Sequence, residues 1–251
     1  MKTSLKSRFT AAGLHFFGSA LLFSVLLLII IKIWYPQPFF SASGGWQGLK
    51  IVALVDLVLG PLITLIIYNV NKPKKVMLAD LSIIFIIQLA ALGYGIHAIY
   101  TQRPVAIAFW ENKFYTIPAQ ALEKQGINLS SLDQFSSHSP AMIYVEKPTS
   151  TDQLKSMLKV INEKQIAPTE QVNLYHPIQL HLPNVLKNSI NINEVITKNK
   201  DMAKQLSILL KETNTKQSEN SYLILESKYQ NIALVFNSES KMIGFLKAPY
   251  K

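Results

Sequence analysis

The chain has 251 residues, 49% of them hydrophobic, a formal net charge of +10 and no cysteine. The missing cysteines exclude disulfides, thiolate metal sites and a cysteine nucleophile. The basic excess is concentrated before residue 104, where nine Lys or Arg face two acids, against sixteen and thirteen in the rest. That distribution lacks the basic stripe nucleic-acid binding requires, so no nucleic-acid partner is expected.

In chain order, Phe9 to Ile31 contains no Asp, Glu, Lys or Arg and a single histidine, His15. At about 1.5 Å per residue the run is long enough to cross a hydrocarbon core roughly 30 Å thick. Ser41-Ala42-Ser43 supplies small residues of the kind cleaved by signal peptidase. The apolar run nevertheless exceeds a signal peptide's h-region, so it is expected to stay as a membrane helix. Trp34-Tyr35-Pro36 and Gly44-Gly45-Trp46 follow. Trp34 and Trp46 read either as an aromatic belt at the headgroup level or as a docking surface just outside the bilayer.

Ile51 to Val70 is a second apolar stretch, interrupted by Asp56 and by Gly60-Pro61. A carboxylate in hydrocarbon costs on the order of 2.5–3.5 kcal/mol on insertion scales, so something must satisfy it. Asn69 to Lys75, with Pro73, reads as a tight turn, and Asp80 as an ordinary acid near a helix N-terminus. Leu81 to Tyr100 is the third run, with Gln88 and His97 as its polar members and Ala91 and Gly95 permitting close helix contact. Lys2, Lys6 and Arg8 before the first run and Lys72, Lys74 and Lys75 after the second place both ends in the cytoplasm by the positive-inside rule. Three crossings then put the chain from Pro104 onward outside the cytoplasmic membrane.

Asp56 is expected about six residues, roughly 9 Å, inside the outer end of the second helix, at a depth matching His97. A pair of Asp56 with His97, with Lys32 or Arg103 close by, is the expected internal solution. The alternative use of Asp56 is capture of a polar group on an incoming transmembrane helix. Gly60-Pro61 reads either as a groove or as a helix kink.

Residues 104–251 have ordinary globular composition. Pro104 to Trp110 and Lys113 to Ile117 form a hairpin pattern around Glu111-Asn112, and Ala141 to Val145 is a further strand. Thr151 to Glu163 and Glu194 to Glu212 carry apolar residues at spacings of three and four, the mark of amphipathic helices. Tyr222 to Leu225, Ile232 to Phe236 and Met242 to Leu246 close the chain as three short strands. The expected fold class is therefore membrane α-helical, with three transmembrane helices in residues 1–103, followed by an α+β extracytoplasmic domain in residues 104–251.

Catalytic constellations are missing from the pattern. Asp56 and Asp80 belong to opposite ends of the membrane region and do not form the carboxylate dyad of an aspartyl peptidase. His176 and His181 lack the spacing of a metal-binding helix, and no nucleotide or nucleophile-elbow signature occurs. No catalytic residue, cofactor or metal is expected.

Several elements carry a family resemblance. They are Trp34-Tyr35-Pro36, Gly44-Gly45-Trp46, Val55-Asp56-Leu57-Val58-Leu59-Gly60-Pro61-Leu62 with Thr64, and Asp80-Leu81. Gln88-Leu89-Ala90-Ala91 with Gly93, Tyr94 and Gly95, and Arg103-Pro104-Val105, complete the set. Over roughly residues 8–117 the chain resembles type IV pilin accessory proteins of the TfpX/TfpZ group. The resemblance implies a non-enzymatic, chaperone-like protein of the bacterial inner membrane that binds its cognate major pilin, with other pilus assembly components as further partners. It also implies that the helices meet the pilin stem and the periplasmic domain meets the pilin head. The opposing expectation is a membrane-tethered sensor, which the short cytoplasmic segments disfavour because they leave little room for an output device.

Overall fold

A computed structural model describes residues 2–250, and its contacts divide the chain into two compact units. One runs to Phe40 and resumes over Gly44–Thr101; the other comprises Ser41–Ser43 and the chain from Gln102 onward.

The first unit is all helix. Helix α1 (Lys2–Ile29) ends in a π-turn at Ile30–Trp34. After the short α2 (Phe39–Ala42), a second long helix is built from α3 (Gly45–Ala53), a π-turn at Leu54–Leu59 and α4 (Gly60–Ile67). Helix α5 (Lys74–Thr101) follows a tight connection. The three spans are 30, 23 and 28 residues, each long and apolar enough to cross a membrane. Their outward faces expose Phe17, Leu21, Ile66, Ile83 and Ile86, a surface suited to lipid rather than water.

The π-turn at Leu54–Leu59 has a local cause. Pro61 has no N–H to give residue 57, and its ring crowds that carbonyl; the widened turn before it accommodates both effects and lets the helix continue. Leu26, Ile30, Tyr35, Leu49, Val52 and Ile99 pack together inside the unit. The Tyr35 hydroxyl donates to the Ile99 carbonyl at 2.8 Å. Gly48 and Gly95 let α3 and α5 approach closely: Cβ atoms there would lie 2.5 Å from Ile99 Cγ1 and 2.9 Å from Val52 Cγ2. Asp80 is not merely an acid at a helix start, since it forms a 2.5 Å ion pair with Lys72 across the tight connection.

The second unit is α+β. Strands β1 (Pro104–Trp110) and β2 (Lys113–Pro118) form a hairpin, in which Glu111 and Asn112 take the positive φ values of 47° and 71° that suit a two-residue turn. Then come α6 (Ala119–Glu123), β3 (Ala141–Val145), α7 (Thr151–Lys164), β4 (Tyr175–Pro177), α8 (Leu182–Leu186), α9 (Ile192–Lys198) and α10 (Lys200–Thr213). Strands β5 (Ser221–Glu226), β6 (Gln230–Phe236) and β7 (Met242–Tyr250) complete a mixed sheet of seven strands in the order β4-β3-β1-β2-β5-β6-β7. Within this unit the Ala42 carbonyl accepts from Tyr229 N and from the Ser227 hydroxyl, both at 3.0 Å.

One half of the sheet buries Ala106, Ala108, Ile117, Ile143 and Val145 against Leu122 and Leu132. The other buries Tyr222, Ala233, Val235 and Leu246 against Met202 and Leu206 of α10. On the reverse face an aromatic line crosses the sheet: Phe236 stacks on Phe114, Phe114 meets Phe109 edge-on, and Phe109 stacks on Tyr144. Three details differ from the sequence pattern. The helix expected from Thr151 is capped one residue earlier by Ser150, in a capping box with Gln153. The expected helix over 194–212 breaks at Asn199, whose side chain caps the start of α10. Strand β4 has three residues, too few to leave a periodic trace.

Candidate functional site

The polar feature of the helical unit lies on one stripe of the second helix. Gly48, Val52, Asp56, Gly60 and Thr64 recur every four residues and so share a face. Val52, Asp56, Gly60 and Thr64 are buried. Asp56 is only 6% exposed. Because this helix begins at Gly45 and ends at Ile67, Asp56 stands at its middle, eleven residues from either end.

The helical phase of α5 overturns the expected partner. His97 is exposed, on the side of α5 opposite the buried row Ile84, Leu92 and Ile99. At 100° per residue it points more than 130° away from Leu92, and so cannot reach Asp56. The histidine beside Asp56 is His15 of α1, which lines the same cavity. His15 Nδ1 lies 2.6 Å from Thr64 Oγ1, tying α1 to α4. Gln88 of α5 completes the group, its carboxamide resting where a side chain at position 60 would stand. Gly60 thus acts as a receptacle for Gln88, and Pro61, buried beside it, continues the helix after the π-turn.

Two cavities open along this seam. One, about 300 Å³, is lined by Leu14, His15, Gly18, Asp56, Gln88 and Leu89 among others. The other, about 690 Å³, continues from Leu14, His15 and Phe85 toward Lys6, Thr10 and Tyr68. Helices α1 and α5 pack chiefly on the composite helix between them, which leaves the space between α1 and α5 open. Neither the Asp56 nor the Gln88 side chain takes part in a hydrogen bond among the described residues.

The other expected site residues are scattered. Trp34 meets Tyr100 edge-on at 5.0 Å and Trp46 meets Phe40 at 5.1 Å, an aromatic collar at one end of the helices. Arg103 belongs to the second unit, where it pairs with Glu123 at 3.6 Å. His176 Nε2 lies 3.0 Å from Glu146, and His181 stacks on Tyr144. Among the described residues no cluster of three or more His, Asp or Glu side chains is placed to hold a metal.

The family model for the fimbrial assembly protein FimB matches residues 3–44. A "Fimbrial assembly protein, serogroups C1 and C2" of Dichelobacter nodosus is 37% identical over 108 residues, covering 41% of this chain and 82% of the relative. The chain belongs to the FimB family of fimbrial assembly proteins. Two longer members of this family from the same organism match as well. The serogroup I protein is 35% identical over 133 residues, 51% of this chain and 50% of that protein. The serogroup E1 protein is 37% identical over 108 residues, 41% of this chain and 42% of that protein. The chain thus spans half or less of these longer relatives. No solved structure matches.

Proposed function

We propose that this protein is a non-enzymatic accessory factor for type IV pilus assembly, of the TfpX/TfpZ kind, acting by binding its cognate major pilin at the bacterial inner membrane. The N-terminus lies in the cytoplasm, three helices cross the bilayer and the α+β unit stands in the periplasm. The relatives' names supply the process, since each is called a fimbrial assembly protein. Charge supports the orientation, with Lys6, Arg8, Lys72, Lys74 and Lys75 at one end of the helices.

The observation that carries the reading is Asp56, midway along the second helix, whose side chain is buried and makes no hydrogen bond among the described residues. Intramembrane acids with no internal partner mark sites of function, and a factor that handles a membrane-anchored fibre subunit needs a polar contact inside the bilayer. Contact through both units gives specificity for one pilin, because both must fit at once.

The test combines deletion of the gene with in-cell photocrosslinking from position 46 in the helical unit and position 180 in the α+β unit, where Trp46 and Leu180 are exposed. Loss of surface fibres on deletion, with major pilin captured from both positions, is the expected result. Normal fibres, or capture of other proteins with pilin missing at both positions, would overturn the assignment.

A further inference from the structure

The open space between α1 and α5 has the dimensions and floor of a helix-binding groove. Its α1 wall runs from Ser7 through Leu14 and Gly18 to Leu22, and its α5 wall from Leu81 through Phe85 to Leu92. At about 1.5 Å per residue the α1 wall is about 22 Å long and the α5 wall about 16 Å, half or more of a bilayer's hydrocarbon thickness. The α5 wall is apolar apart from Gln88, the α1 wall mixes Leu14 and Leu22 with Ser7, Thr10 and Ser19, and a Cβ at Gly18 would meet nothing within 4 Å, so a second backbone can come close there. The floor is polar, with Asp56 94% buried, Gln88 beside Gly60, and His15 already committed to Thr64.

We infer that this groove seats one transmembrane helix of a partner protein, and that this helix presents a hydrogen-bond donor side chain to the Asp56 carboxylate at mid-membrane. The inference rests on the membrane placement proposed above and goes beyond it by naming the binding surface and the chemistry of its occupant. Asp56 is acceptor-only when ionised, so the group that completes it must bring an N–H or O–H. Acyl chains bring none, and lipid headgroups lie about 15 Å away at the edge of a core roughly 30 Å thick. A helix is the form in which a polypeptide crosses hydrocarbon with its own backbone satisfied and one side chain free to donate.

The test places p-benzoylphenylalanine at position 89 in the full chain, in cells containing its natural partners. Leu89 lines the groove and is 55% exposed; Ile83, 58% exposed and about 120° around the same helix, is the control position. The expected result is a protein adduct from 89 and not from 83, mapped by mass spectrometry to an apolar helix with a donor side chain within one turn of the crosslink. Asp56→Leu should reduce it at least tenfold at equal membrane abundance. Gly18→Trp, which fills the groove and leaves the acid intact, should reduce it as well, so the result does not depend on one variant's folding. Equal yields from 89 and 83, adducts to lipid or a second copy alone, a mapped helix with no donor, or an adduct indifferent to Asp56→Leu would each overturn the inference. A captured helix that meets these criteria but comes from a protein other than pilin leaves the groove standing and removes the pilin assignment. Fibres that need the protein while position 89 captures no helix remove the groove alone.

Discussion

Gln88 and Gly60 share one small space: a Cβ on Gly60 would stand 1.8 Å from Gln88 Nε2. The obstructing atom is the far end of a flexible side chain, so the site yields to a small group and resists a large one. Gly60→Ala should therefore displace the carboxamide at little cost, whereas Gly60→Val should cost about 1–3 kcal/mol by overpacking. Gln88→Ala should recover much of the Gly60→Val loss, giving a coupling above about 0.5 kcal/mol in a double-mutant cycle. Unfolding of the detergent-solubilised chain measures all four species, and strict additivity would show that the two residues do not share the space.

Gly48 behaves differently because its neighbour cannot move. A Cβ there would lie 2.5 Å from Ile99 Cγ1, a β-branched side chain 4% exposed whose own carbonyl is held by Tyr35. Gly48→Ala is accordingly expected to cost about 1–3 kcal/mol, more than Gly60→Ala, although the chemical change is the same. The same unfolding measurement ranks the two, and the reverse order would contradict the packing described.

The His15 to Thr64 contact links α1 to α4 inside an apolar unit. Polar contacts between membrane helices average about 0.6 kcal/mol in double-mutant cycles and reach about 1.7. A cycle of His15→Ala and Thr64→Ala should fall in that range. A coupling of zero would mean that the 2.6 Å approach contributes nothing to holding α1 in place.

These contacts explain what the sequence revealed and what it hid. Long apolar runs fixed by composition, and strands fixed by alternation and the Glu111-Asn112 turn, appear where expected. Asp56, Gly60 and Thr64 stand out by type and lie together on one stripe. Their partners on other helices did not follow, because depth depends on where a helix begins. Asp56 and His97 were expected at matching depths, but the histidine that lines a cavity with Asp56 is His15. Helical phase on α5 was the usable signal: Ile84, Gln88, Leu92 and Ile99 share a face that excludes His97.

In the α+β unit, burial raises the pKa of Glu170 above the ordinary carboxylate value, only partly offset by a hydrogen bond from the Ala167 backbone. A carboxyl whose folded pKa exceeds its unfolded one binds its proton more tightly when folded. Its contribution is fully present below the unfolded pKa and is lost as pH rises through the folded value. Glu170→Gln, which stays neutral, should raise the urea midpoint at pH 7 and change it little at pH 4. A larger gain at pH 4 would reverse the sign and refute burial as the cause.

Strand β7 is an edge strand of nine residues, and such edges invite pairing with other chains. Here α10 supplies a substitute neighbour. Gln205 Oε1 accepts from Lys247 N at 2.8 Å, while Gln205 Nε2 donates to Lys247 O at 3.2 Å, so one carboxamide satisfies both backbone groups as an adjacent strand would. Gln205→Leu removes both of these bonds from the edge strand. At a net 0.5–1.5 kcal/mol for each bond, the loss should be about 1–3 kcal/mol. The freed edge should also promote association between chains. Urea unfolding followed by tryptophan fluorescence reads the first effect, and light scattering of the detergent-solubilised protein reads the second. A stable variant with unchanged mass would show that Gln205 neither supports nor shields the edge.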